Sequence, residues 1–174
     1  YARMEYAYSR MCRDAGINIP YTELRSFDKA THFLIKRFDR LEGEKVHMQS
    51  LRAMTGEAHS YEEAFDVIEK LRLDYEDREQ LFRRMVFNVT GGNIDDHDKN
   101  ISFLMDKSGR WSLAPAYDVV YCIDHDTLYA QKGQFMSING KNQGITRGDL
   151  ITVARHYGVN RPERIIEQVM DIVS

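Results

Sequence analysis

Apolar residues recur at helical spacing at the start of the chain. Met4, Ala7, Tyr8, Met11 and Cys12 share one face, predicting an amphipathic helix from Tyr1 to Asp14. Gly16 supplies its stop signal and Pro20 follows. The pattern then shortens. Thr22–Ser26 and His32–Phe38 predict two short strands turning at Asp28–Lys29, with Phe33-Leu34-Ile35 as a buried run. Leu41–Lys45 is a charged, Gly-containing break, the best candidate for a hinge. Helical periodicity returns after Ser60-Tyr61-Glu62-Glu63, a capping box ahead of Ala64, Val67, Ile68 and Leu71. Asp77 is the expected cap of the next helix, whose inner face carries Leu81, Phe82, Met85, Val86 and Val89 and which stops at Gly91-Gly92. A hairpin follows, Ile101–Met105 with Trp111–Leu113, turning at Ser108-Gly109. Helices Arg147–Tyr157 and Pro162–Val173 close the chain, Pro162 sitting near a first helical position where its missing N–H costs nothing. No repeat or low-complexity tract interrupts this α+β pattern.

Composition narrows the class. The 174 residues are 43% hydrophobic and 29% charged, enough for one packed domain or a large lobe of something bigger. A net charge of −3 gives no general attraction to nucleic acid, so direct nucleic-acid binding by this chain is not expected. Cys12 and Cys122 lie far apart and read as free thiols; with no signal peptide, a cytoplasmic location is the expectation. Apolar stretches fall well short of the roughly 20 residues that cross a bilayer, so no membrane role is expected. The chain opens at Tyr1, not at Met, inside a predicted helix, which points to further polypeptide upstream.

Chemistry concentrates in Asn93-Ile94-Asp95-Asp96-His97-Asp98-Lys99-Asn100, between an apolar helix and an apolar strand. Three carboxylates in one such loop repel one another unless a cation offsets them. Asp95 and Asn100 have the separation of the proton-accepting Asp and the Mg²⁺-holding Asn of a protein-kinase catalytic loop. After the hairpin, Leu113-Ala114-Pro115-Ala116-Tyr117-Asp118 puts a carboxylate where a kinase carries its Asp-Phe-Gly metal ligand. Tyr117 and Val119 flank it, so Asp-Phe-Gly itself is absent. A hairpin returns the chain towards its start, so Asp118 is expected to face Asn100.

Asn93–Leu104 followed by Trp111–Val120 closely resembles the C-terminal domain of HipA-type kinases, the toxins of bacterial toxin–antitoxin modules. Arg37-Phe38-Asp39-Arg40 resembles the segment linking that family's two lobes. Phe135–Lys141, leading to Ile145-Thr146, resembles its segment after the metal-binding Asp. The resemblance implies a protein-kinase-like fold with residues 1–40 as the end of a small lobe plus hinge, and residues 41–174 as a mainly helical C-lobe. It implies Asp95 as catalytic base with His97 reaching the γ-phosphate, Asn100 and Asp118 as Mg²⁺ ligands, and Asp96 as an ambiguous neighbour. Lys99 reads first as solvent-facing, with phosphate neutralisation as its alternative role. ATP would meet the main chain of Lys36 and Phe38, with the Asp39 carboxylate at the ribose; Arg37 and Arg40 are equally readable as ion-pair donors. Glu5 stands where the family's helix pairs with an ATP-binding Lys. The implied activity is serine/threonine protein phosphorylation by a toxin linked to persistence, on a substrate such as a tRNA ligase, with a helix-turn-helix antitoxin as partner. A Gly-rich loop and a strand Lys, which family members carry N-terminal to the opening helix, are absent from this sequence, so the chain by itself is expected to bind nucleotide weakly.

Two other classes compete. A metal-dependent hydrolase or nuclease would draw on Asp95, Asp96, His97, Asp98 and Asp118, and would need no adenine site. A non-catalytic, partner-binding lobe would need none of these groups.

Overall fold

The computed structural model describes residues 1–122 and 133–173. Helix α1 (Ala2–Asp14) ends at Gly16, whose φ of +74° lets Ile17 N–H bond back to the Cys12 carbonyl at 2.9 Å. Strands β1 (Thr22–Phe27) and β2 (Ala30–Ile35) pair antiparallel with Thr22 opposite Ile35 and Phe27 opposite Ala30. Asp28 and Lys29 both turn at positive φ, the geometry that matches strand twist in a two-residue hairpin. Strand β2 stops at Ile35 and does not run on to Phe38. Its Phe33-Leu34-Ile35 run is not buried as expected, because a two-stranded sheet has little cover on either face: Leu34 and Ile35, on opposite faces, are 37% and 38% exposed.

The charged Leu41–Lys45 stretch forms a second tight hairpin, β3 (Arg40–Leu41) with β4 (Glu44–Lys45), turning at Glu42 and Gly43. Two elements follow that periodicity does not reveal. Strand β5 (His47–Ser50) joins a three-stranded antiparallel sheet with β6 (Ser102–Met105) and β7 (Trp111–Leu113), in the order β5-β6-β7. The short helix α2 (Leu51–Thr55) starts where the Ser50 hydroxyl accepts Ala53 N–H.

The body packs on helix α4 (Tyr75–Thr90), whose Leu81, Phe82, Met85, Val86 and Phe87 are fully buried. Helix α3 (Tyr61–Lys70) adds Ala64, Phe65 and Ile68, and α6 (Pro162–Val173) adds Ile165, Ile166 and Val169; α5 (Arg147–His156) packs against α6. Phe65 stacks on Tyr157 at 4.8 Å, joining α3 to the end of α5. Each fully buried large side chain contributes roughly 1.5–3 kcal/mol, so these helices form the rigid frame.

Two local expectations are corrected. The box at Ser60 is half reciprocal: Ser60 Oγ accepts Glu63 N–H at 3.2 Å, but the Glu63 carboxylate takes the His59 N–H and the Ser60 hydroxyl instead of the Ser60 N–H. Asp77 does not cap α4. Asp74 holds that position without a side-chain bond, while Asp77 Oδ1 accepts Leu113 N–H at 3.0 Å and so ties α4 to β7.

Candidate active site

The polar loop 93–100 leaves α4 at Gly91-Gly92 and enters β6. The alternation of its side chains sorts the carboxylates. Asp95 and Lys99 are exposed, Asn100 and His97 are half-buried, and Asp96 and Asp98 are 2% and 1% exposed. Asp98 is a structural brace: its carboxylate accepts Ala58 N–H at 3.1 Å and an Arg52 N–H at 3.4 Å. Asp96 Oδ2 accepts from the Tyr61 hydroxyl (2.7 Å) and Gln134 Nε2 (3.1 Å), and its Oδ1 accepts from Phe135 N–H (2.9 Å) and Met136 N–H (3.3 Å). Burial pushes its carboxyl up to about 6 against the opposing pull of these hydrogen bonds.

Asn100 turns its amide inward. Nδ2 donates to the Asp95 carbonyl at 3.1 Å, which fixes the ends of the Asp95–Asn100 span and leaves Oδ1 as a hard oxygen donor. His97 Nε2 lies 3.9 Å from Asp95 Oδ1, its ring meets Phe135 edge-on at 5.7 Å, and its Nδ1 is buried with no hydrogen-bond partner among the described residues.

Tyr117 brings the second half of the site in. Its hydroxyl donates to the Lys99 carbonyl and pairs with the Ser102 hydroxyl, both at 2.5 Å. The neighbouring Asp118 has a left-handed φ of +55° that Asp tolerates better than most residues. The chain then runs back beside the loop, where Cys122 N–H bonds the Gly92 carbonyl at 3.1 Å. Burial raises the Cys122 thiol, and so do the charges of Asp95, Asp118 and Asp96, which all lie near it. Cys122 thus lies within electrostatic range of both Asp95 and Asp118.

A cleft of about 260 Å³ adjoins Asp118, lined by Glu5, Ser9, Phe33, Ile35 and Tyr117. A second, of about 230 Å³, shares Ile35 and Tyr117 and is lined by Lys36, Phe38, Asp39 and Met48. The Phe38 and Tyr117 rings meet at 5.6 Å between them. Asp39 accepts from Arg37 at 2.8 and 2.6 Å and from Arg40 at 2.5 Å, so one of its four lone-pair sites stays open. Glu5 faces the cleft and has no ion-pair partner among the described residues.

Asn100 offers an amide oxygen and Asp118 a carboxylate, the hard oxygen donor types that suit Mg²⁺ also held by phosphates. Among the described residues, no three of His, Cys, Asp and Glu are arranged to hold a metal. Asp96 and Asp98, on which a nuclease reading would draw, are turned into the body.

Sequence reasoning missed Tyr117 as an organiser, although it stands next to Asp118. It also missed the buried chain behind the loop, in which Asn93 Nδ2 donates to Asn88 Oδ1 (3.0 Å) and Asn88 Nδ2 to the Tyr61 hydroxyl (2.8 Å). Asn93 opens the polar run, but nothing local marks Asn88, Tyr61 or Gln134.

The fold is mixed α/β and shared with two solved structures. One is HipA of Shewanella oneidensis in its toxin–antitoxin complex with HipB and operator DNA (TM-score 0.77, 19% identity, 99% of this chain and 46% of that one). The other is the Helicobacter pylori proinflammatory kinase CtkA (TM-score 0.60, 13% identity, 99% of this chain and 81% of that one). The model of the HipA-like C-terminal domain matches residues 1–174, and the chain belongs to that family. A Haemophilus influenzae relative named "Putative kinase" is 29% identical over 139 residues, 68% of this chain and 40% of its own length. The chain therefore spans less than half of that relative and of the Shewanella HipA. Among the described residues, no helix is long and apolar enough to cross a membrane.

Proposed function

We propose that this chain carries the phosphotransfer machinery of an ATP- and Mg²⁺-dependent, HipA-like serine/threonine protein kinase that acts as a toxin. Residues 1–40 would end a small lobe and hinge, and residues 41–174 would form the helical lobe. The observation that supports the reading is the Tyr117 hydroxyl bonded to the Lys99 carbonyl and Ser102, which ties the residue before Asp118 to the loop that carries Asp95 and Asn100.

Bound ATP with Mg²⁺ would supply the phosphoryl group and the cation that offsets its charge. Asp95, exposed at the loop's crest, accepts the proton of the acceptor hydroxyl. Asn100 Oδ1 and the Asp118 carboxylate would hold the cation, while the Asn100 amide keeps the loop closed on the Asp95 carbonyl. His97, with Nε2 3.9 Å from Asp95 Oδ1, would reach the transferring group. Lys36 and Phe38 border the second cleft; the Lys36 N–H is taken by the Tyr21 carbonyl at 2.8 Å, so the Lys36 carbonyl and the Phe38 main chain would meet the adenine edge, with the open lone pair of Asp39 towards the ribose. A helix-turn-helix antitoxin partner and a protein substrate such as a tRNA ligase follow by extension from the family.

The test is transfer of labelled phosphate from ATP in the protein at the full length its gene encodes. Asp95→Ala and Asp118→Ala are each expected to lower transfer by about 10²–10⁴-fold, with the circular dichroism spectrum kept. Undiminished transfer in both variants refutes the assignment.

A further inference from the structure

Asp96 sits beside the proposed base yet points the opposite way, as successive side chains do in extended backbone. Its carboxylate is held by donors distant in sequence: Tyr61, at the first turn of α3, and the Gln134–Met136 segment. The same donors grip the residues before Asp95. Gln134 Nε2 also donates to the Asn93 carbonyl at 3.1 Å, and Phe135 N–H to the Ile94 carbonyl at 3.0 Å. Behind them, Tyr61, Asn88 and Asn93 form an unbroken buried chain, so the loop is fixed on both sides of Asp95. The segment itself is tightly seated. A Cβ on Gly133 would lie 2.1 Å from the Asn142 carbonyl oxygen, which accepts Gln134 N–H at 2.9 Å. Phe135, held by its backbone to both Ile94 and Asp96, lays its ring against His97, which borders Asp95.

We propose that Asp96 is a positioning residue: through Tyr61 and residues 134–136 it locks the loop so that the Asp95 carboxylate is aimed at the acceptor hydroxyl. This rests on the phosphotransfer reading above. The neighbouring carboxylates thereby divide the work, one towards solvent and chemistry, the other towards the body and geometry. A buried carboxylate ringed by donors cannot be replaced by an amide of the same shape, because an Asn NH₂ would face an N–H or O–H. An ångström of displacement at the base is enough to cost on the order of 100-fold in rate.

The experiment uses Asp96→Asn and the milder Tyr61→Phe in the full-length protein, with two readouts. Amide hydrogen exchange reads the lock directly. It is expected to quicken at 93–97 and 134–136 in both variants while α6 is unchanged. ADP release with Mg²⁺·ATP and casein as acceptor reads the consequence. Here kcat is expected to fall at least about tenfold in Asp96→Asn and a few-fold in Tyr61→Phe, with KM for ATP nearly constant, a split that general loosening of the fold would not give. Unchanged exchange at both segments in either folded variant overturns the lock. Quickened exchange with undiminished kcat overturns its role in catalysis. Absence of any Asp95-dependent turnover in the unaltered protein sinks the kinase reading instead, and the exchange data still decide whether Asp96 holds the loop.

Discussion

The stretch around Asp39 and the stretch around Asp96 look alike as sequence, each a carboxylate among charged neighbours, yet their environments shift the two groups in opposite directions. The Arg37 guanidinium, helped by Arg40, holds the Asp39 carboxyl down to about 2. Asp96 meets neutral donors only, and burial carries it up to about 6. Arg37 is 67% exposed, so its pair with Asp39 is screened and of the surface kind that contributes roughly 0–1 kcal/mol. Losing a partner of a buried acceptor costs about 1–3 kcal/mol. Water and the charge of the partner, not residue type, decide which carboxylate shapes the molecule.

Titration should separate the two regions most strongly. The Asp96 carboxyl moves from 3.8 to about 6 on folding, a gap worth about 3 kcal/mol. With its folded value raised, its contribution to stability is full below 3.8 and is lost as pH rises through about 6. The unfolding free energy of the wild-type protein should therefore gain on that of Asp96→Asn as pH falls from 7 to 4. Asp39, with its folded value lowered, does the reverse: its contribution is present above 3.8 and is lost as pH falls towards 2. Urea unfolding from pH 7 down to about 2 measures both. A constant difference between wild type and Asp96→Asn between pH 4 and 7 would break the comparison.

Tyr61→Phe comes next in size. The hydroxyl is buried, donates to Asp96 and accepts from Asn88, and burial together with the Asp96 charge raises its own pKa well above the ordinary value. Its removal leaves two buried groups each one bond short while the ring still fills its place. A loss of about 1–3 kcal/mol is expected, seen as a lower urea midpoint at unchanged slope. Removing the Ser60 cap at the same helix end, by Ser60→Ala, should cost about 1 kcal/mol.

Much of this could be read from the chain because it is local. The start of α3, the end of α4 and the spans of α5 and α6 follow from periodicity and stop signals, and the β6–β7 hairpin from its turn. The Asp95–Asn100 spacing and the position of Asp118 are local too. What escaped is what distant residues decide. Strand β5 is four residues long and takes its identity from β6, some fifty residues on, while α2 is too short to show a period. Asp77 looked like a cap until β7 supplied the Leu113 N–H. Asp96 and Asp98 looked like further metal ligands, and no local pattern shows that Tyr61, Ala58 and residues 134–136 arrive to bury them. Phe33-Leu34-Ile35 failed for the opposite reason: its apolar run promised a cover that the paired strand alone does not give.

The smallest expected effect is the sharpest check on the Asp39 side of the comparison. Asp39→Asn removes the charge that Arg37 and Arg40 share, but Arg37 turns to water at little cost, and the Asn oxygen can still accept one bond. Stability should fall by less than about 1 kcal/mol, and that difference should vanish near 1 M salt, where screening acts over about 3 Å. If Lys36, Phe38 and Asp39 hold the nucleoside, the same variant should raise KM for ATP more than it lowers the melting temperature, because the open lone pair would face the ribose while the Arg37 partner is solvent-exposed. A loss of 2 kcal/mol or more that persists in high salt would instead make Asp39 a structural anchor, and would leave the main chain of Lys36 and Phe38 as the only hinge contacts proposed for the nucleotide.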